Sequence, residues 1–133
     1  ISLNGSTMGA TNVLTVGSIA EISQRIVSVD ATNVRTLFEF GTVVGSGKFV
    51  LANVQYIRIT NKDDTNTVDI NVASAASNNW TVVAAGQSFM MSAQDGLQGV
   101  ASGTVAVPVM ADLVSISGYS ANAIDLDCYV ALT

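Results

Sequence analysis

The sequence predicts an all-β protein, an antiparallel β-sandwich, and three observations carry that prediction. Short apolar–polar alternations of period two recur along the 133 residues, as strands with one buried face require. Clusters of Gly, Asn, Asp and Ser separate them, and these residues favour turns because the short polar side chains bond their own backbone. No long stretch carries an apolar stripe at helical spacing. The sum is about eight to ten short strands with little helix, in a jelly-roll-like or immunoglobulin-like arrangement. No repeat at a fixed period is present, which disfavours a propeller or solenoid.

Taken in order, residues 1–10 (ISLNGSTMGA) are small, polar and glycine-punctuated. They read either as a frayed terminus or as an arm laid across a neighbouring subunit. They show neither the basic start nor the apolar core of a signal peptide. Residues 12–16 make a first strand, ended by Gly17-Ser18. The division expected is an N-terminal arm over residues 1–12 and one sandwich domain over residues 13–133, a length suited to a single core. Over residues 19–29 a helix competes: Ile19, Ile22 and Ile26 fit a helical stripe, and Glu21–Arg25 an i, i+4 pair. Residues 24–29 are rich in β-branched side chains and run into the turn cluster Asp30-Ala31-Thr32-Asn33. A short helical turn or loop followed by a strand is therefore expected.

Residues 34–40 alternate, with Val34, Thr36, Phe38 and Phe40 on one side and Arg35, Leu37 and Glu39 on the other. Residues 41–47 (GTVVGSG) precede Lys48 and invite comparison with a phosphate-binding loop, G-x-x-x-x-G-K-[S/T] feeding a helix. Gly47 comes one residue late, Phe49 stands where the hydroxyl belongs, and the continuation is strand-like. A hairpin loop is expected instead.

The centre of the chain is residues 56–92. Ile57 and Ile59 oppose Tyr56 and Arg58, and Val68, Ile70 and Val72 oppose Asp69 and Asn71. The polar hexapeptide between them predicts a β-hairpin with a longer loop. Residues 80–83 and 88–92 supply a second pair through Ala84-Ala85-Gly86-Gln87, and the four strands are expected in one sheet, over which the rest closes. Residues 93–103 read as a flexible connection. Residues 104–110 hold Pro108, which cannot donate to a ladder and belongs on an edge strand or at a bulge. Residues 112–117 form a strand and 118–122 a turn. Residues 123–132 alternate most cleanly, with Ile124, Leu126, Cys128, Val130 and Leu132 opposite Asp125, Asp127, Tyr129 and Ala131, so this strand is expected to be central.

Composition narrows the function. Charged residues are 11% of the chain and apolar residues 49%, against roughly 25% charged in ordinary soluble domains. A surface so poor in charge is suited to association. No window of ~18 apolar residues predicts a membrane-spanning helix, and aromatics at 6% do not supply the girdles of a membrane barrel. The five basic residues are Arg25, Arg35, Lys48, Arg58 and Lys62, scattered under a net charge of -5. Binding phosphates needs clustered cations, so neither membrane nor nucleic acid is an expected partner.

The chain has no histidine, which removes the commonest general base, the Ser-His-Asp and Cys-His arrangements, and most zinc sites. Asp125 and Asp127 lie i, i+2 on one strand face and read as a solvated outer face rather than a catalytic pair. Asn61, Asp63, Asp64 and Asn66 contain calcium-type oxygen ligands. They lack EF-hand spacing and its terminal Glu, so a solvated hairpin tip is expected. Trp80 and Tyr56 are expected as core aromatics rather than a sugar-stacking platform. Cys128, the single cysteine, is in phase with the apolar side and reads as a buried small hydrophobe. No catalytic, cofactor-binding or metal-ligating residue is assigned, no cofactor is expected, and an enzyme is not expected.

In the stretch YIRITNKDDTNTVDINVA…NNWTVVAAGQSFMMS the chain resembles a β-sandwich module of tailed-bacteriophage structural proteins. There a strand ending I-x-I-T-N runs into an acidic Thr/Asn turn, a V-x-I-x-V strand, a W-x-x-V strand and an A-G-[QE]-S corner. The matching residues are 57–61, 63–67, 68–72, 80–83 and 85–88, within a stretch, residues 56–92, that is about a quarter of the chain. The resemblance implies a virion component, on the capsid exterior or tail: a capsid decoration (cement) protein or a head–tail accessory protein. Its expected partners are itself, as a homo-oligomer with a trimer as the expected form, and a major capsid or other virion protein. A carbohydrate- or receptor-binding sandwich of a tail fibre or spike is the alternative. No functional position carries over from the resemblance.

Overall fold

The computed structural model describes residues 2–3, 6–7, 13, 15, 17–43, 45, 47–75, 77–92, 97–100 and 109–133. Its strands in chain order are β1 (Ser2–Leu3), β2 (Ser6–Thr7), β3 (Glu21–Val29), β4 (Val34–Gly41), β5 (Lys48–Val50) and β6 (Val54–Asn61). They continue with β7 (Val68–Ser74), β8 (Asn78–Val83), β9 (Ser88–Met91), β10 (Leu97–Val100), β11 (Val109–Tyr119) and β12 (Ile124–Leu132). One 3-10 turn, Leu51–Asn53, interrupts them.

Strands β3-β12-β6-β9 form one sheet, and β5-β4-β11-β7-β8, with β10 beside β11, form the other. Leaving out the short β1–β2 ladder, β5 and β10, the main strands in chain order fall first-eighth-third-sixth in one sheet and second-seventh-fourth-fifth in the other. That order is two interlocked Greek keys, a jelly roll. Every ladder among these strands is antiparallel.

The core lies between the sheets. Val29, Ile57, Ile59, Leu126, Cys128 and Val130 from one sheet meet Phe38, Val68, Ile70 and Ile116 from the other, all at 1% exposure or less. Each such buried Ile, Leu or Phe contributes about 1.5–3 kcal/mol relative to an exposed position. Strand β12 is central as its alternation requires, hydrogen-bonded to β3 on one side and β6 on the other.

Several pairings differ from expectation. Strands β6 and β7 are not a hairpin, because they lie in opposite sheets, and so do β8 and β9; the hairpin is β7–β8. A polar hexapeptide spans the ~10 Å between stacked sheets as readily as the ~4.8 Å between paired strands, so loop length did not decide the partner. Residues 21–29 are strand throughout, with no helical turn; pairing with β12 along the whole length satisfies their backbone. The loop after β4 does not make a hairpin, since β5 returns parallel to β4.

In β4 the ladder shifts so that Ile116 opposes Phe38 and Ser117 opposes Thr36. This bulge lets Leu37 and Phe38 both be buried and leaves Val34 exposed, where simple alternation put Val34 with the phenylalanines. Gly118 is within β11 rather than in a turn. A Cβ there would stand 3.3 Å from the Leu126 Cδ1 and 3.4 Å from the Leu37 Cδ1, so a larger residue would have to push these leucines aside by a few tenths of an ångström, and glycine fits without it.

Leu97–Val100, expected in a connection, pair with β11. Val13 and Thr15 are not in a strand, and the rest of the predicted first strand, like Pro108, lies outside the described residues.

Candidate functional site

Polar residues that looked available for chemistry are, for the most part, already engaged. Asn61 ends β6 and is fully buried. Its Nδ2 donates to the carbonyls of Asn66 (2.8 Å) and Val83 (3.4 Å), and its Oδ1 accepts from the Asp63 amide (3.0 Å). Its own amide donates to the Gln87 carbonyl (2.9 Å) and its carbonyl accepts from Gly86 (3.1 Å). Gly86 supports this corner with a φ of +72°, a conformation glycine adopts without steric cost. One side chain thus ties the β6–β7 crossover to the β8–β9 corner.

Asp63 continues the network, its Oδ1 accepting from Thr65 (2.8 Å), the Asn66 amide (2.6 Å) and the Asn66 Nδ2 (3.2 Å). The main-chain amides of Asn66 and then Thr65 hold its carboxyl below the ordinary value of 3.8, because hydrogen bonds to a carboxylate favour the charged form. The loop reaches the β11–β12 turn through Asn122 Nδ2 on Asn66 Oδ1 (2.9 Å), and Ser120, also buried, donates to the Thr67 carbonyl (2.9 Å). The loop is solvated at Lys62, Asp64, Thr65 and Thr67, as expected, but it is a crossover between sheets anchored by buried Asn61 rather than a hairpin tip.

Asp125 and Asp127 do stand on an outer face. Ser28 donates to Asp125 (2.6 Å), and Gln24 Nε2 to both oxygens of Asp127 (3.1 Å each). Asp30, Asp63, Asp64 and Asp125 line an open cleft of about 430 Å³ together with Lys62. Among the described residues, however, no three His, Cys, Asp or Glu side chains come together as a metal would require. A second cleft of about 460 Å³ is lined by Gly41, Thr42, Val50, Leu51, Ala52, Asp112 and Leu113. It offers a single carboxylate, with no second ionisable partner among those residues for acid–base work.

Lys48 pairs with Glu39 (3.3 Å), and the chain after it continues as strand β5 rather than as the α-helix of a phosphate-binding loop. Cys128 is fully buried, and burial pushes its thiol up to about 11, where it is not a nucleophile at neutral pH.

The aromatics are where the sequence expectation fails. Trp80 is 48% exposed, on the outward side of edge strand β8, opposite Asn71. Exposed Val82 shares that side of β8, and exposed Val34 lies across the same sheet. Tyr56 is half-buried on the outer face of the other sheet, its ring edge-to-face with Tyr129 at 6.0 Å. Both residues occupy the outward phase of their strands, so neither reaches the core.

Beside these tyrosines the Arg58 guanidinium lies 5.2 Å from the centre of the Tyr129 ring, a cation–π contact. Its Nε is buried without a hydrogen-bond partner, and among the described residues no carboxylate is within ion-pair distance of it. Exposed Ile22, Ile26 and Met90 flank this cluster. Tyr56 and Arg58 share a phase in the sequence, as do Tyr129 and Asp127. Their meeting needed the β6–β12 register, which no local pattern records. Searches against protein-family models and curated protein sequences find no match to this chain.

Proposed function

We propose that the chain is a non-enzymatic structural protein of a virion, a decoration (cement) protein that self-associates and stabilises a capsid lattice. The observation that supports it is the apolar character of both outer faces, with Ile22, Ile26 and Met90 exposed on one sheet and Val34, Trp80 and Val82 on the other. Exposed apolar side chains on both sides of a thin sandwich, interspersed with Gln24, Asp127 and Arg58 on one face and with Asp69 and Asn71 on the other, suit a subunit covered by neighbours. The engaged polar groups and the chain's lack of histidine leave little for turnover. The resemblance of residues 56–92 to tailed-phage sandwich modules agrees with this reading, and jelly rolls recur among capsid proteins, an argument by analogy only.

The test is addition of the purified protein to shells lacking a decoration protein. Calorimetry should then record a higher shell melting temperature and imaging a regular outer layer. An unchanged melting temperature with no bound density would overturn the proposal.

Exposed Trp80 favours a second reading, a carbohydrate- or receptor-binding module of a tail fibre or spike. Beside it Asn71 donates through Nδ2 to Asn78 (3.3 Å) while its Oδ1 is buried without a partner. An indole with neighbouring amides is suited to stacking on and hydrogen-bonding a sugar. A glycan array and quenching of the Trp80 fluorescence on titration test this reading; a blank array removes it.

A further inference from the structure

We infer that the outer face of the β3-β12-β6-β9 sheet is a self-association surface on which a second copy of this chain docks about a two-fold axis, Arg58 of each copy meeting Asp127 of the other. The inference rests on the proposed self-associating role and names its surface.

Four features of the face point to its occupant. Tyr56, Tyr129, Arg58 and Met90 are the residue types enriched where interfaces bury their centres, and here they form one cluster on adjacent strands. Arg58 is a cation with no carboxylate or hydrogen-bond partner among the described residues. Its Nε has no exposed surface, so the terminal guanidinium nitrogens are what a facing carboxylate can reach. The nearest complementary charge is on the same face: Arg58 opposes Tyr129 across the ladder, and Asp127 lies two residues along β12, opposite Thr60.

The guanidinium lies over Tyr129 rather than reaching Asp127, so the two charges stand side by side, unpaired with each other. A two-fold axis passing between them brings each onto its opposite in the facing copy, which is the self-complementarity an isologous interface needs. Asp127 retains acceptor capacity beyond the two contacts from Gln24, since a carboxylate offers about four lone-pair sites. This local attraction also offsets the repulsion between two chains that each carry a net charge of -5.

Size agrees. Four strands ~4.8 Å apart, with lengths of 9, 9, 8 and 4 residues, cover on the order of 500 Å² in projection. Side-chain relief brings that towards the ~800 Å² per partner of a standard stable interface. The contact makes a dimer, in place of the expected trimer.

Sedimentation of the full chain across about 1–100 μM, the range that brackets micromolar self-association, tests the pairing. The comparison is wild type with R58E, D127R and the charge-swapped double variant R58E/D127R. Both positions lie on the outer face, and circular dichroism confirms that each of the three variants folds. A wild-type dimer should weaken on the order of 30-fold in either single variant, as for a central arginine anchor, and recover in the double.

A monomeric wild type, which would leave the face to a different protein, overturns the inference. So does an oligomer indifferent to R58E, or a double variant no better than the singles. The shell-melting assay separates this outcome from the virion proposal. A monomeric chain that still stabilises shells removes the pairing alone, and a charge-swappable dimer that leaves shells unchanged removes the virion role alone.

Discussion

The loop end of the sandwich and the outer face of its β3-β12-β6-β9 sheet invert the usual division of labour between polar and apolar groups. At the loop end Asn61, Asp63 and Ser120 have their polar atoms bonded to main-chain groups of the β6–β7 crossover, and Asn61 also to the end of β8. On the outer face Ile22 and Met90 remain 57% and 62% exposed, and among the described residues Arg58 has no charged partner. The polar residues hold the fold together, and the apolar and cationic ones are free to meet a partner. Buried polar groups must be satisfied within the molecule, whereas exposed apolar area is relieved only by a second surface.

The largest effect that would test this contrast is at Asn61. Asn61→Ala removes three side-chain hydrogen bonds and strands the Val83 carbonyl and the Asp63 amide, so urea unfolding should register a loss of about 3 kcal/mol. A loss under about 1 kcal/mol, the size of one ordinary hydrogen bond, would show that the crossover is held elsewhere.

On the outer face, Tyr129→Ala gives up both the Arg58 contact and the Tyr56 edge, and about 1.5 kcal/mol is expected from the same measurement. Trp80→Ala, on an edge strand with half its surface in water, should change stability by about 0.5 kcal/mol or less. A larger loss at Trp80 than at Tyr129 would reverse the assignment of which aromatic the fold depends on.

Acid titration probes the loop end more finely. Asp63 has a folded value below 3.8, so its stabilising contribution is present above 3.8 and disappears as pH falls through the lowered folded value. The difference in urea midpoint between wild type and Asp63→Asn should therefore close on acidification. A gap that stays constant with pH would mean that the carboxylate charge does not matter there.

Legibility in the sequence follows the same contrast. The alternation of residues 123–132 located β12, its buried side and its central place, because a strand bonded on both sides needs one continuous apolar phase. The same rule put Tyr56 and Arg58 opposite Ile57 and Ile59. What misled was chemical type: an aromatic side chain suggests a core place for Trp80, but residues 80–83 (WTVV) fit either phase, and only the β7–β8 register, with Val83 buried opposite Val68, sets Trp80 outward. Ile22 and Ile26 resembled a helical stripe because a spacing of four is also a multiple of two, so both periods fit. Asn61 looked like loop because Asn favours turns; only the folded chain surrounds it with three backbone partners.

By itself, then, the sequence determined the class of fold, most of the strands that build it and most of their inner faces, since period-two burial is a property of neighbouring residues. Tertiary structure alone decided which sheet each strand joined, that the central loop crosses between sheets, and that Tyr56, Arg58 and Tyr129 meet on one face. Those facts depend on residues far apart in the chain, such as Arg58 and Tyr129 in the β6–β12 ladder. No local periodicity encodes a register between strands separated by more than sixty residues, because register is chosen by how the whole core closes.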